Sequence, residues 1–179
     1  LSAGTATRFD LYQRSVNSPE TDVDFLIEAY ETIRGRKPSH LREDFCGTAN
    51  LAAEFLARDP KNTVEGFDLD PEPMKWGKGR NFGRVEDRDA RMTWHEKDVR
   101  SSADKAPDVT IAANFSYWGF KEREELLGYL RSAHEDLAED GIMVMDLYGG
   151  PEALNEMEEV RDIDGAFDYV WDQKSWEPG

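Results

Sequence analysis

Residues 41–50 read LREDFCGTAN, and this stretch joins a predicted strand to a predicted helix. The strand covers residues 41–45, although Arg, Glu and Asp follow one another inside it, and apolar residues at helical spacing begin at Leu51. Gly47 is the one glycine of the connection, and such a tight turn needs a residue that tolerates unusual φ/ψ and lets a ligand approach the backbone. Junctions of this kind bind ligands in α/β proteins, so the stretch predicts a ligand site.

Strands and helices alternate along most of the chain. Short apolar runs predict strands and 3.6-residue periodicity predicts helices. The predicted strands are 41–45, 64–68, 92–95, 108–114 and 142–146, and the predicted helices begin near residues 20, 51, 71 and 122. An acidic helix over 152–160 and a weak strand over 167–171 complete the prediction. This alternation favours an α/β fold, with a doubly wound, mostly parallel sheet and helices on both faces.

The residues that follow each predicted strand are the candidates for ligand binding, because ligands of such sheets bind at the carboxyl ends of the strands. Asp68 ends the second strand, twenty-one residues after Gly47, and an acid there can accept hydrogen bonds from both hydroxyls of a ribose. The nicotinamide fingerprint G-x-G-x-x-G does not occur. Glu43 and Asp44 lie beside the turn, and carboxylates there suit a cationic ligand better than a diphosphate.

In these residues the chain resembles the class I, Rossmann-like S-adenosylmethionine-dependent methyltransferases. Glu43–Ala49 aligns with their first motif, acidic-x-G-x-G-x-G, and Gly66–Asp70 is similar to their second, G-x-D-x-S. Asp98-Val99 resembles the third motif, Asp108–Phe115 the fourth, and Glu139–Gly141 the turn before the fifth strand. The resemblance covers roughly residues 38–150 and implies S-adenosylmethionine as cofactor, with S-adenosylhomocysteine as product.

The resemblance also implies roles for individual residues. Glu43 would steer the sulfonium and amino end of the cofactor, and Asp44 would bind loop amides or the methionine ammonium. Asp68 would accept hydrogen bonds from the ribose hydroxyls, and Asp98 would contact the adenine amine. The implied cofactor-binding set is Glu43, Asp44, Phe45, Cys46, Gly47, Thr48, Asp68, Leu69, Asp98, Val99, Asn114, Phe115 and Tyr12. The alternatives are that Glu43 and Asp44 pair with Arg42 or cap the next helix, that Asp68 is a helix N-cap, and that Asp98 is an exposed strand-end acid.

The chain departs from the family at Phe45 and Ala49, which replace two motif glycines. Phe45 would place a ring where the backbone passes close to the cofactor. Residues 1–37 are expected to form an N-terminal helical segment that closes over the cofactor through Tyr12, and residues 38–150 the Rossmann-like core. Residues 151–179 would add a helix and a partial strand to the same domain. The fold is thus expected to be C-terminally shortened, because the family's sheet has two further strands.

The acceptor is the least determined part of the prediction. Tyr117, Trp118 and Tyr148 form a candidate apolar wall for the substrate, although aromatic residues after buried strands often belong to the core. Methyl transfer needs a base only if the acceptor must lose a proton first, and His95 and Tyr148 are weak candidates. The catalytic residue is unknown.

Composition limits the partners. The formal charge of −16, from 22 basic and 38 acidic side chains, argues against nucleic acid and points to a small-molecule acceptor. No apolar run approaches the length of a membrane span, and the cytoplasm is the expected compartment. Cys46 is the single cysteine, and the three histidines share no metal-binding spacing, so no metal is expected.

Three functions compete on this sequence. A methyltransferase is favoured by the order of the motifs. A non-catalytic Rossmann-like binding or scaffold protein is kept open by Phe45 and the short C-terminal part. A nicotinamide-dependent oxidoreductase is disfavoured by the single glycine and the acids beside it.

Overall fold

The computed structural model describes residues 5–175, which form two compact units. The larger unit is Ser18–Asp146 and contains a five-stranded sheet. Its strands are β1 (His40–Asp44), β2 (Thr63–Asp68), β3 (Met92–Glu96), β4 (Val109–Ala112) and β5 (Ile142–Met145). All five predicted strands are confirmed.

The order of the sheet is β3-β2-β1-β4-β5, and every neighbouring pair is parallel. The chain moves outward from β1 through β2 to β3, then returns to the other side of β1 and continues through β4 to β5. The strand order therefore reverses between β1 and β4, which makes the carboxyl end of β1 the expected ligand crevice. LREDFCGTAN lies at that point.

Helices cover both faces of the sheet, as predicted. The unit contains α2 (Pro19–Arg34), α3 (Asn50–Arg58), α4 (Pro71–Arg80), α5 (Arg88–Arg91) and α6 (Arg123–Asp136), with 3₁₀ turns at Asn81–Arg84 and Ser116–Gly119. One core layer joins α2 and α3 to the sheet through residues such as Leu26 and Phe55, and the other joins α6 through Tyr129 and Ala133. No helix within residues 5–175 is long and apolar enough to cross a membrane.

The smaller unit combines the described residues on either side of the larger one. It holds α1 (Arg8–Val16), a 3₁₀ turn at Pro151–Leu154, and an antiparallel hairpin of β6 (Met157–Ile163) and β7 (Phe167–Gln173). Helix α1 meets the hairpin through Arg14, whose Nη2 lies 2.8 Å from Asp164 Oδ2. Arg161 Nη2 also donates to the carbonyl of Ser15 at 3.1 Å.

The hairpin corrects two expectations for the C-terminal part. The predicted helix over 152–160 is wrong, since this range holds part of a 3₁₀ turn and the first four residues of β6. The predicted strand over 167–171 exists as β7 but pairs with β6 rather than with the central sheet. Asp164 and Gly165 form the turn with φ of 54° and 66°. An Asp-Gly pair between two runs of alternating residues is a strong hairpin signal, and the acidic composition of β6 hid it.

Candidate functional site

The loop between β1 and α3 has a left-handed backbone at Phe45, Gly47 and Ala49, with φ of 57°, 51° and 51°. These are the positions at which the first methyltransferase motif carries glycine. Two of them are therefore held in a conformation that costs an L-residue about 1 kcal/mol or more. The loop keeps the glycine conformation of the motif even where the glycine is replaced.

The Phe45 ring is directed into the core. It makes edge contacts with the rings of Phe120 and Tyr129, at centroid distances of 6.1 and 5.8 Å, beneath α6. Nothing lies within 4 Å of a Cβ built on Gly47, so the surface of the loop at that residue is open. The expectation that the Phe45 ring would stand where a ligand passes the loop is therefore wrong.

The loop is held from below by β2 and α4. Cys46 is buried, and its amide donates to the carbonyl of Phe67 at 2.9 Å. Burial raises the pKa of the Cys46 thiol well above its ordinary value, in keeping with a packing role. The Thr48 carbonyl accepts from Asn81 Nδ2 at 2.8 Å, and a Cβ added to Gly77 would lie 1.9 Å from the same oxygen.

Asp68 connects the loop to the end of β2. Its Oδ2 accepts from the Gly47 amide at 2.7 Å and its Oδ1 from the Asp70 amide at 2.9 Å. Each carboxylate oxygen has two lone pairs, so each can accept one further hydrogen bond. The N-cap of α4 is Asp70, which accepts from the Glu72 amide, so the N-cap alternative for Asp68 is wrong. Leu69, beside Asp68, is 68% exposed.

Glu43 is buried on the opposite side of the loop, facing α3. Its Oε2 accepts from the Ala52 amide at 2.9 Å, which caps a helix whose own N-cap residue, Ala49, has no side-chain oxygen. Burial, together with the charges of Asp68 and Asp44, raises the pKa of Glu43 to about 8, against the opposing effect of the Ala52 hydrogen bond. The helix-capping alternative for Glu43 is thus present in the structure.

Asp44 points to the opposite face of β1. It accepts from Arg42 Nε at 2.7 Å and from the Tyr129 hydroxyl at 2.8 Å. Arg42 is fully buried and also binds Asp136 and the carbonyl of Val99, with its guanidinium 4.1 Å above the Phe67 ring. The pairing alternative for Asp44 is therefore present too, and a direct ligand contact by Asp44 stays a prediction.

Asp98 follows β3 and forms an ion pair with Arg100. Arg100 donates to it through its backbone amide and Nε, both at 2.8 Å, and through Nη2 at 2.6 Å. These hydrogen bonds lower the pKa of Asp98. Val99 is buried beside it, so the third motif combines an ionised half-exposed acid with an apolar neighbour.

The loop after β4 is clamped by a residue that the sequence analysis did not select. Asn114 and Phe115 have φ of 56° and 54°, and Asp146 accepts from their amides at 2.7 and 2.9 Å. The Tyr117 hydroxyl donates to the carbonyl of Asp146 at 2.7 Å. Burial, followed by the Asp146 charge, raises the pKa of Asp22 near the start of α2. The available sequence signal was the acid that ends the run IMVMD.

Two of the three candidate substrate residues lie together on this loop. The Trp118 ring stacks on Phe115 at 5.3 Å and meets Tyr117 edge-on at 6.5 Å, and Trp118 is 44% exposed. Tyr148 and Tyr12 belong to the smaller unit. Tyr148 donates to Gln173 Oε1 at 3.1 Å, and Tyr12 lies exposed on α1. Their approach to a ligand stays a prediction.

A second polar cluster lies on the α6 face of the sheet. Glu65 accepts from His95 Nε2 at 2.8 Å and from the amides of Asp104 and Lys105 at 2.8 and 2.9 Å, and His40 Nε2 lies at 3.2 Å. Burial by itself would raise the pKa of Glu65, but these hydrogen bonds outweigh it and lower the pKa to about 2. The pairing of β1, β2 and β3 brings these side chains together, which residue spacing alone does not reveal. His95, a candidate base, is committed to this cluster.

Comparison with known proteins supports the fold. No family model matches the sequence. No curated protein matches it either. Among solved structures, an S-adenosylmethionine-dependent methyltransferase from Clostridium acetobutylicum aligns with a TM-score of 0.70 and 17% identity, over 93% of this chain and 68% of that one.

Two sugar-modifying enzymes align as well. An amino pentose methyltransferase from Micromonospora echinaspora, solved with S-adenosylmethionine, gives a TM-score of 0.67 and 18% identity over 84% of this chain. A sugar N-methyltransferase from Streptoalloteichus gives 0.67 and 14% over 99% of this chain and 82% of that one. The chain spans 61% of the Micromonospora enzyme and 49% of a plantazolicin methyltransferase. The chain therefore has the fold of the class I S-adenosylmethionine-dependent methyltransferases.

Proposed function

We propose that the chain binds S-adenosylmethionine and transfers its methyl group to a small molecule. The observation that carries this proposal is the hydrogen bond from the Gly47 amide to Asp68, made across an open loop at the point where the strand order reverses. It joins the first and second motifs in the order that the resemblance requires.

The described residues fit this cofactor. Asp68 keeps acceptor capacity on both oxygens for a ribose diol, and Leu69 offers exposed apolar surface beside it. Asp98 is ionised and next to a buried valine, which suits the amino edge and the ring of an adenine. Asp68 places a carboxylate at the loop, which favours a sulfonium over a diphosphate.

The cofactor would supply an activated methyl group, and the chain would bind, orient and exclude water. In this proposal Asp68 and Gly47 bind the ribose of the cofactor, and Asp98 and Val99 bind its adenine. The remaining residues that we assign to the cofactor are Glu43, Asp44, Phe45, Cys46, Thr48, Leu69, Asn114, Phe115 and Tyr12. For Phe45 and Cys46 the assignment is to backbone groups, because both side chains face the core.

The acceptor that fits best is a nitrogen of a small molecule. The hydrogen bonds from Arg100 lower the pKa of Asp98, so the carboxylate of Asp98 is a weak base. A hydroxyl acceptor needs a stronger base, whereas an amine only has to lose its ammonium proton. A sugar N-methyltransferase, a glycopeptide N-methyltransferase and an amino pentose methyltransferase are among the matched structures. The residues that we propose to contact the substrate are Tyr117, Trp118 and Tyr148. We also propose a cytoplasmic location.

Calorimetric titration with S-adenosylhomocysteine, S-adenosylmethionine and NADH tests the cofactor. We expect micromolar binding of the two adenosyl ligands, no binding of NADH, and loss of binding in Asp68→Ala. Asp89→Ala, which removes an exposed acid on α5, is the charge-matched control and should bind normally. Binding of NADH alone would favour an oxidoreductase, and binding of none would favour the scaffold reading. Tritium transfer from labelled cofactor to amino sugars, with the parent sugars as controls, then tests the acceptor.

A further inference from the structure

Glu43 stands apart from the other acids of the site because it is buried and no cation among residues 5–175 pairs with it. It is 9% exposed, and within the described part of the chain its one hydrogen bond comes from the Ala52 amide. Arg42, next to it in the chain, faces the other side of the sheet and is engaged by Asp44 and Asp136.

The groups around Glu43 disfavour its charge from several directions. Asp44 follows it on β1, and Asp68 ends β2 on the far side of the loop. Cys46 in the loop is a buried thiol, and α3 contributes the Ala52 amide as the one favourable dipole. The nearest acid along α3, Glu54, is paired with Arg58 and Arg84. A carboxyl group that is desolvated and flanked by two carboxylates keeps its proton, in line with a pKa of about 8.

We propose that Glu43 carries a proton in the ligand-free protein and releases it to solvent when the cationic cofactor binds. The carboxyl O–H bond breaks, the electron pair stays on the carboxylate, and buffer accepts the proton. The product S-adenosylhomocysteine is a neutral sulfide and does not drive this release. Because the cofactor, but not the product, drives Glu43 to its ionised form, the site favours the cofactor over the product. This inference rests on the proposed function.

The structure supports the coupling through Asp68. Glu43 and Asp68 flank the same loop, which Asp68 binds through the Gly47 amide, and the charge of Asp68 acts on Glu43. A cation held at this loop offsets that repulsion and adds an attraction of its own, so it favours the ionised form of Glu43. Charge on the bound ligand and charge on Glu43 are therefore linked.

The experiment is a proton inventory. The binding enthalpy of S-adenosylmethionine and of S-adenosylhomocysteine is measured at pH 7 in phosphate and in Tris, whose ionisation enthalpies differ. We expect the cofactor to release about 0.5 to 1 proton more than the product. Its affinity should rise by more than about tenfold between pH 6 and 8.5, while the affinity for the product changes by less than about threefold.

Glu43→Gln keeps an oxygen for the Ala52 amide and has no proton to release, so the difference between the two ligands should disappear. Glu54→Gln is the matched buried glutamate and should keep it. An equal proton count for both ligands in the wild-type protein, which needs no variant, would overturn the inference while leaving the proposed function intact. A difference that persists in Glu43→Gln would overturn it too. Failure of both ligands to bind would instead remove the proposed function and the inference together.

Discussion

Two buried glutamates on adjacent strands behave in opposite ways. Glu43 on β1 and Glu65 on β2 are 9% and 2% exposed, and they face opposite sides of the same sheet. Burial raises the pKa of Glu43 to about 8, whereas hydrogen bonds overcome burial and lower the pKa of Glu65 to about 2.

The difference lies in the donors. Glu65 has two histidines and two backbone amides around its oxygens, while Glu43 has one amide and two carboxylates nearby. A complete set of donors makes a buried carboxylate part of the framework. An incomplete set, beside an open loop, leaves a carboxyl group whose charge can respond to a ligand.

The largest expected effect on the free energy of unfolding comes from replacing Glu65, the glutamate with the complete set of donors. Glu65→Gln replaces one of the two acceptor oxygens by an NH₂ group, so it cannot accept from all four donors, and the amide of either Asp104 or Lys105 loses its acceptor. We expect a loss of about 4 kcal/mol in the free energy of unfolding at pH 7, measured by urea denaturation. The folded pKa lies below the ordinary value of 4.5, so the contribution is present above pH 4.5 and is lost as the pH falls towards 2.

Glu96→Gln is the control for that loss, because it removes an exposed glutamate from the end of β3. Its effect should stay within about 0.5 kcal/mol. If Glu65→Gln lowered the free energy of unfolding as little as Glu96→Gln, the four donors would contribute little to stability. The contrast drawn between Glu65 and Glu43 would then be wrong.

An effect of similar size and opposite sign is expected for Glu43→Gln. Because the folded pKa of Glu43 is raised from 4.5 to about 8, its neutral form favours the folded state at low pH, and this contribution is lost as the pH rises from 4.5 to about 8. The variant should therefore be more stable than the wild-type protein by about 4 kcal/mol at pH 8, and nearly equal to it at pH 4.5. Thermal unfolding across this pH range measures it. A variant that is less stable than wild type at pH 8 would contradict the raised pKa of Glu43.

The strands β4 and β5 could be predicted from the sequence because each is a short apolar run, as in IMVMD after the turn residues Asp140 and Gly141. The polar strand β1 could be placed because a tight turn and an apolar helix follow it. The functional edge followed from topology, since the carboxyl ends of parallel strands meet on one side. Asp68 and Asp98 could be selected because each directly follows a strand. The smaller unit was harder, since four of the seven residues of β6 are charged and its pairing with β7 depends on the turn at Asp164 and Gly165.

Side-chain partners could not be predicted in the same way. Whether Phe45 faces the loop or the core depends on which rings lie beneath α6, and Phe120 and Tyr129 come from much later in the chain. Asp146 acts through two backbone amides that are more than thirty residues earlier. Such contacts arise from packing between elements, and the periodicity within one element does not contain them.

The smallest stability effect tests the loop that covers Glu43. A Cβ on Gly77 would lie 1.9 Å from the Thr48 carbonyl oxygen, so Gly77→Ala must push α4 away from the loop. We expect a loss of about 2 kcal/mol in the free energy of unfolding, together with weaker binding of S-adenosylhomocysteine. Gly79→Ala lies on the same helix with nothing within 4 Å of the added Cβ, and it should gain up to about 1 kcal/mol from helix propensity.

If the displaced loop also admits water to Glu43, Gly77→Ala should release less proton on cofactor binding than Gly79→Ala, because a hydrated carboxyl group is already ionised. Equal proton release in the two variants would mean that Asp44 and Asp68, rather than burial under the loop, keep Glu43 neutral.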